Sequence, residues 1–302
     1  MNPSFRSRHP HQDPWIPLTD ILIATDDFAH QNLIEQGAYK DVYKGELSWS
    51  GKLISVVVHR LYCSHEDDLL YTIYRFRALN HKNIVSIVGV CVEKDYEIII
   101  VSEHAVNGSL DKYLGNPILL TWMQRLRTCV GVAHALRHIM DDSFPRYVVY
   151  GNMMKSSKII LDKDWEAKVL AIPAANSGYI GVNDCYSLGR LLFEVLCDTK
   201  KMIGDGDGKH LVTNVKRHYL VGSLENIIDP NLWTQMHPHS LVVFSKTAYS
   251  CLTEPQYDID AVVRNLEEAL KHQLKREDTG GTGQDSPVLC LARPSLGLSR
   301  TH

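Results

Sequence analysis

The spacing of apolar residues changes period once along this chain, and that change limits the fold more than any other feature. From about residue 30 to about residue 105, short β-rich runs dominate: Asp41-Val42-Tyr43, Ile54 to Val58, Ile84 to Val92 and Ile98 to Val101. Turn signals such as Ser50-Gly51 and Lys94-Asp95 separate them. One helical stretch, about Glu66 to Leu79, interrupts the series. From about residue 108 the helical period takes over. Leu126, Val130, Ala133 and Ile139 recur at helical steps between Trp122 and Met140. Asn183 to Leu196 is apolar and long enough for a buried helix. Asp258 to His272 carries Val262, Val263, Leu266 and Leu270 on one stripe. A small β-rich lobe followed by a larger helical lobe is an α+β plan.

Polar ends flank this pattern. Residues 1–16, with Pro3, Pro10 and Pro14, read as a flexible arm. Residues 276–302, rich in Gly, Ser, Pro and Thr, read as a disordered tail. Between them lies one domain, 17–275, with its small lobe at about 30–105 and its large lobe at about 106–275. The net charge of -3 gives bulk electrostatics no reason to draw in nucleic acid or an acidic membrane. No apolar run reaches the roughly 18 residues a membrane helix needs, and the N-terminus has no signal-type apolar core. Cys63, Cys91, Cys129, Cys185, Cys197, Cys251 and Cys290 are dispersed and form no C-x-x-C pair. They read as reduced thiols of a cytoplasmic protein, with no zinc site and no disulfide framework.

Several strings, taken in order, resemble one family. LIEQGAYKDVYKG (33–45) resembles the glycine-rich loop of protein kinases. VVVHRL (56–61) resembles the strand that carries the phosphate-gripping lysine. HKNIVSIVGVC (81–91) resembles the strand after the regulatory helix. NGSLDKYL (107–114) and LTWMQRL (120–126) resemble the exit from the hinge and the entry to the next helix. KSSKIILD (155–162) resembles the catalytic loop, and DCYSLGRLLFEVLC (184–197) the helix beneath it. IIDPNL (227–232) and VVRNLEEAL (262–270) complete the large lobe. The set is similar to the plant receptor-like kinases of the Pelle type, over residues 17–272. It implies a bilobal protein-kinase-like fold.

Phosphoryl transfer rests on positioning and charge neutralisation, and the resemblance shows which residues stand where those parts belong. The three loop glycines fall at Glu35, Gly37 and Lys40, so one glycine survives and a carboxylate faces the place of the phosphates. Lys40 can offset that charge in part. The lysine position is His59, shorter and not a permanent cation. Arg60 follows it, but alternation in a strand turns it to the other face. Val57 replaces the alanine that faces adenine, and Val42 completes the vestigial cleft. The glutamate that would hold the lysine is Thr72, with Phe76 one helical turn on. At the catalytic aspartate stands Met153, or Asn152 if one residue is inserted; both alignments stay open, and neither supplies a carboxylate base. The magnesium asparagine becomes Lys158 and the magnesium aspartate Ala171, followed by Ile172 and Pro173. Only residues 172–183 separate Ala171 from Asp184, so the activation segment reads as mostly deleted. Asp184 and Gly189 remain of the helix beneath the catalytic loop, and Trp122, Leu126, Trp165 and Leu266 read as core.

Phosphate-contacting positions have changed and packing positions have not. The implied function is a pseudokinase that binds proteins, as scaffold or allosteric partner, with an active receptor-like kinase among the candidate partners. ATP and magnesium are not expected to bind productively. No catalytic residue, cofactor, metal, nucleic acid or membrane insertion is expected, and the location would be cytoplasmic with recruitment to the plasma membrane through partners. Three alternatives stand beside this. One is an atypical Ser/Thr kinase with residual transfer through Lys40, Lys155 or Lys158. Another is a nucleotide-binding switch without catalysis, against which the Glu35 charge and the Val57 bulk argue. The last is a decaying duplicate without function. His134 and His138, four apart on one helix, read as surface or packing histidines, as do His9, His11, His237 and His239. Asp205-Gly206-Asp207-Gly208 reads as a solvated loop.

Overall fold

The computed structural model describes residues 15–62, 73, 77–93, 97–141, 154–172, 184–197, 209–254 and 257–278. The described residues fall into two compact units. The small unit holds the chain up to Asn80 and Ile84–Ala105, together with Ala171 and Ile172. The large unit holds His81–Asn83, Val106–Leu170 and the chain from Asp184 onward.

The small unit is a five-stranded antiparallel sheet ordered β1-β2-β3-β5-β4. Its strands are β1 (Leu33–Gln36), β2 (Lys40–Trp49), β3 (Lys52–Tyr62), β4 (Ile87–Val92) and β5 (Glu97–Glu103). The expected β-runs lie within or overlap these strands. Alternation gives the sheet two faces. One carries Tyr43, Leu47, Val56, Val58, Cys91, Ile99 and Val101, and it is closed by Ile16 and Ile21 from the N-terminal side. Ile21 lies on a short helix, α1 (Leu18–Thr25), which periodicity did not flag. Eight residues are too few to show a helical stripe, and its stability comes from packing. Gly45 makes that packing possible: a Cβ there would lie 2.6 Å from the Ala24 carbonyl oxygen.

Trp15 and Ile16, read from sequence as the end of a flexible arm, pack on the sheet. Ile16 is 2% exposed and donates its backbone N–H to the Val90 carbonyl at 2.9 Å, and Trp15 bridges to the same residue. An apolar pair beside an unpaired β4 edge finds partners there. The expected helix over Glu66 to Leu79 lies largely outside the described residues; Ile73 and Arg77-Ala78 are helical, and Ile73 is buried.

The large unit is built on α2 (Trp122–Asp141), whose Leu126, Val132, Ala133, Ala135, Leu136 and Ile139 are fully buried. Around it lie α3 (Asp184–Leu196), α4 (Lys209–Val221), the short α5 (Pro230–Trp233), α6 (Pro238–Thr253) and α7 (Ile259–Asp278). A three-stranded sheet, β6 (Gly108–Ser109), β7 (Ile159–Leu161) and β8 (Ala167–Val169), frames the segments that precede and follow it. Trp122 donates Nε1–H to Ser240 Oγ at 3.4 Å and meets Phe244 edge-on at 5.0 Å. Gly189 is the contact point of α3 and α6: a Cβ there would lie 2.6 Å from the Cys251 Cβ.

Three expectations are corrected. Trp165 is half-buried rather than core, at φ 61° in the β7–β8 turn, with its ring edge-on to Tyr113. Helix α7 runs to Asp278, past both the stripe's end and the expected start of the tail, because Arg276 donates to the Met236 and Thr234 carbonyls. Its buried stripe takes Ala269 where Leu270 was expected; Leu270 is half-buried.

Candidate functional site

The nucleotide positions implied by the resemblance divide between the two units. In the small unit, the β1–β2 hairpin carries Glu35, Gly37 and Lys40. Strand pairing sets Glu35 opposite Val42 and Lys40 opposite Leu61. The turn is tight: a Cβ at Gly37 would approach the Lys40 carbonyl oxygen to 3.2 Å. Across this turn Lys40 Nζ meets Glu35 Oε2 at 2.8 Å. The charge offset expected from sequence is therefore a direct ion pair. Glu35 is the more open partner, its side chain 59% exposed against 21% for Lys40. A pair this open contributes at most about 1 kcal/mol, so its meaning is chemical: the nearest cation is already matched to a carboxylate.

The next strand holds the deciding residue. Val42 pairs with His59, and His59 with Ile100, so all three share one face of the sheet. His59 is 3% exposed, and its Nε2 lies 3.2 Å from Ser102 Oγ on β5. Ser102 Oγ in turn donates to the Val57 carbonyl at 3.4 Å. The imidazole is thereby tied into the pairing of β3 with β5 through one hydroxyl. Sequence reading missed Ser102; its signal is a small hydroxyl amid the apolar run of β5, which only cross-strand register links to His59. Arg60 faces the opposite way, as alternation requires. It pairs with Glu97 Oε1 at 2.5 Å and stacks over Phe28 at 4.1 Å, and the Glu97 hydrogen bond raises its already high pKa. It belongs to the packing under α1.

Ala171 and Ile172, 3% and 7% exposed, are buried. Ala171 has no side-chain oxygen to offer a hard cation. In the large unit, Lys158 ends a 3₁₀ turn before β7 (Ser156–Lys158), and its carbonyl accepts from Leu170 N–H at 2.8 Å. Ser156 Oγ donates to Glu194 Oε1 on α3 at 2.5 Å, tying this segment to the helix. Lys155 is half-buried beside it. Thr72, Phe76, Asn152, Met153, Pro173 and residues 174–183 lie outside the described residues, and so do Asp205–Gly208, His9 and His11. For Asp184 only the backbone is described.

The remaining histidines engage in packing. His134 pairs with Glu267 at 2.9 Å, and His138 stacks on His81 at 5.0 Å. His237 caps α6 by accepting from His239 N–H at 3.2 Å. Among the described residues no group of three His, Cys, Asp or Glu side chains is placed to hold a metal ion. Cys91, Cys129, Cys185, Cys197 and Cys251 are buried free thiols.

This geometry can be set beside known proteins. Residues 28–169 match the family model for protein tyrosine and serine/threonine kinases. A probable receptor-like protein kinase of Arabidopsis thaliana is 31% identical over 317 residues, covering 90% of this chain and 36% of the relative. This is a protein kinase domain with homologues among the plant receptor-like kinases. The kinase domain spans about a third of the length of the curated relatives it matches. Its fold is shared with solved pseudokinases. An apo pseudokinase structure superposes with a TM-score of 0.70 at 24% identity, covering 88% of this chain and 98% of that one. The pseudokinase domain of BIR2, an immune regulator of the RLK/Pelle family, superposes at 0.65 and 22%, covering 87% and 89%. Among the kinase domain's described residues, no helix is long and apolar enough to cross a membrane.

Proposed function

We propose that this kinase domain is a pseudokinase that works by binding other proteins. The observation that carries the reading is His59. At the lysine position stands an imidazole, buried and hydrogen-bonded to Ser102, with no permanent charge to set against a phosphate. Turning it outward breaks a buried hydrogen bond, at about 0.5–1.5 kcal/mol. That alone weakens a ligand roughly twofold to tenfold. Lys40, the natural substitute cation, is matched to Glu35. This weakens the alternative of residual transfer through that residue.

ATP with magnesium does not fit the residues present. Ala171 and Lys158 offer an apolar methyl and an ammonium where a metal needs oxygen ligands. Each lost group is one that stabilises the transition state by kcal/mol amounts. Packing, by contrast, is kept: Leu126 and Leu266 are fully buried and Gly189 seats α3 on α6. A shape held while its chemistry is removed supports selection for a surface. The pseudokinase neighbours agree with that reading, and the receptor-like relatives make an active receptor-like kinase the first partner to try, with recruitment to the plasma membrane through it.

The test is phosphoryl transfer from radiolabelled ATP to a generic acceptor, with magnesium or manganese. The expected result is label no higher than a denatured control. Transfer above that control, abolished by changing Lys40 or Lys158, would replace this reading with residual catalysis.

A further inference from the structure

His81–Asn83 is a short strut of the large unit, packed between β8 and α2. Asn83 is 1% exposed. Its Nδ2 donates to the Ala167 carbonyl at 2.8 Å, and its own carbonyl accepts from Val169 N–H at 2.8 Å. On the α2 side it lies against Gly131, where a Cβ would come within 2.7 Å of the Asn83 amide nitrogen. The strut is closed on itself by His81, whose Nδ1 accepts the Asn83 backbone N–H at 3.1 Å. That hydrogen bond requires an imidazole with a free lone pair, hence a neutral one. The His81 ring then stacks on His138 of α2, centroids 5.0 Å apart and planes 25° from parallel.

The groups around this ring are cationic or can become so. They are Lys82 beside it and His134, Arg137 and His138 on α2. The facing carboxylates are already taken: Glu267 by His134 at 2.9 Å and Asp260 by Arg137 at 3.7 Å, both from α7. Among the described residues Asn83 Oδ1 is buried without a hydrogen-bond partner, so its side chain is held to β8 through Nδ2 alone.

We propose that His81 is an acid-sensitive latch: neutral, it holds the 81–83 strut against β8 and α2; protonated, it releases it. A proton on Nδ1 removes the acceptor for Asn83 N–H and sets a cation against the His138 ring. Burial first, and then His138, His134, Lys82 and Arg137, push the His81 imidazole below its ordinary range. The sign follows. The folded form refuses a proton that the unfolded chain accepts, so the latch is fully closed above the ordinary imidazole range, about pH 6.5, and weakens as pH falls below it.

The test is amide hydrogen exchange on the full chain, read as protection factors at Asn83 and Val169, at about pH 7.5 and about pH 5.5. In the wild type, protection should fall about tenfold or more between the two. H81N keeps a side-chain oxygen that can accept the same N–H without titrating, and its protection should change less than about threefold. Wild-type protection unchanged by pH, or an equal loss in H81N, overturns the proposal. If H81N is open at both pH values, H138F decides. It keeps a stacked ring and removes one facing charge, so the acid loss should shrink; an undiminished loss overturns the latch.

Discussion

Nε2 of His59 and Oγ of Ser102 meet at 3.2 Å across the pairing of β3 with β5, inside a sheet that excludes solvent from both. The residue that the resemblance sets at the lysine position is thus a structural member of the small unit. Ser102→Ala should remove the hydroxyl that meets the buried imidazole and destabilise the fold by about 1–3 kcal/mol. His59→Lys should also destabilise it, by a similar or larger amount, because a buried ammonium replaces a hydrogen-bonded imidazole. Urea unfolding followed by circular dichroism measures both. A His59→Lys chain as stable as the wild type would show that the site still accepts a lysine.

Arg125 is 1% exposed and donates to three carbonyls: Leu120 through Nε at 3.0 Å, Val195 through Nη1 at 2.6 Å and Leu114 through Nη2 at 2.7 Å. Lysine has one nitrogen and cannot span three directions. Arg125→Lys should cost about 2–4 kcal/mol by the same unfolding measurement. A loss under about 1 kcal/mol would mean water replaces the missing bonds.

Gly189→Ala tests the α3–α6 contact. Alanine gains about 1 kcal/mol of helix propensity. Its Cβ, however, would sit 2.6 Å from the Cys251 Cβ and 3.0 Å from the Ala248 carbonyl oxygen, and a backbone atom cannot step aside alone. The clash should win, with a net loss of about 1–3 kcal/mol. A stabilised variant would contradict the close approach.

The thiols give a chemical reading of the cores. Burial pushes Cys91 up to about 12, helped by Glu93, and pushes Cys129 up to about 12. Burial also raises Cys251. A raised pKa keeps each thiol protonated at about pH 8, and the thiolate is the reactive form. These three should resist a disulfide reagent in the native protein and react at once in denaturant. Peptide mapping after labelling identifies them. Rapid native labelling of Cys129 would contradict the packing of α2.

Much of this was legible in the sequence, for reasons that differ by element. Strands β2, β3 and β5 declare themselves by β-branched runs between turns, and α2 by its regular apolar steps. Helix α1 is too short for a period to show, and its Ile21 is buried by tertiary packing alone. Helix α6 mixes polar residues into its buried face, with Ser240, Ser245, Thr247 and Ser250 all inside, which blurs the stripe. Trp165 misleads because a large aromatic suggests core, whereas here backbone turn geometry places it. At the site, order along the chain offers a residue for each position the resemblance implies, with Asn152 and Met153 both open for one of them. The pairs could not be read this way: Glu35 with Lys40, and His59 with Ser102, depend on hairpin closure and on register between strands 43 residues apart.

The most direct test of the central claim is a thermal-shift titration of the full chain with ATP, with and without magnesium or manganese. A ligand that binds only the folded state must raise the melting temperature once it saturates. The account predicts no shift up to millimolar ATP, as expected if His59 and Lys40 remain committed to Ser102 and Glu35. A saturable, metal-dependent rise would contradict it and show that the nucleotide site still functions.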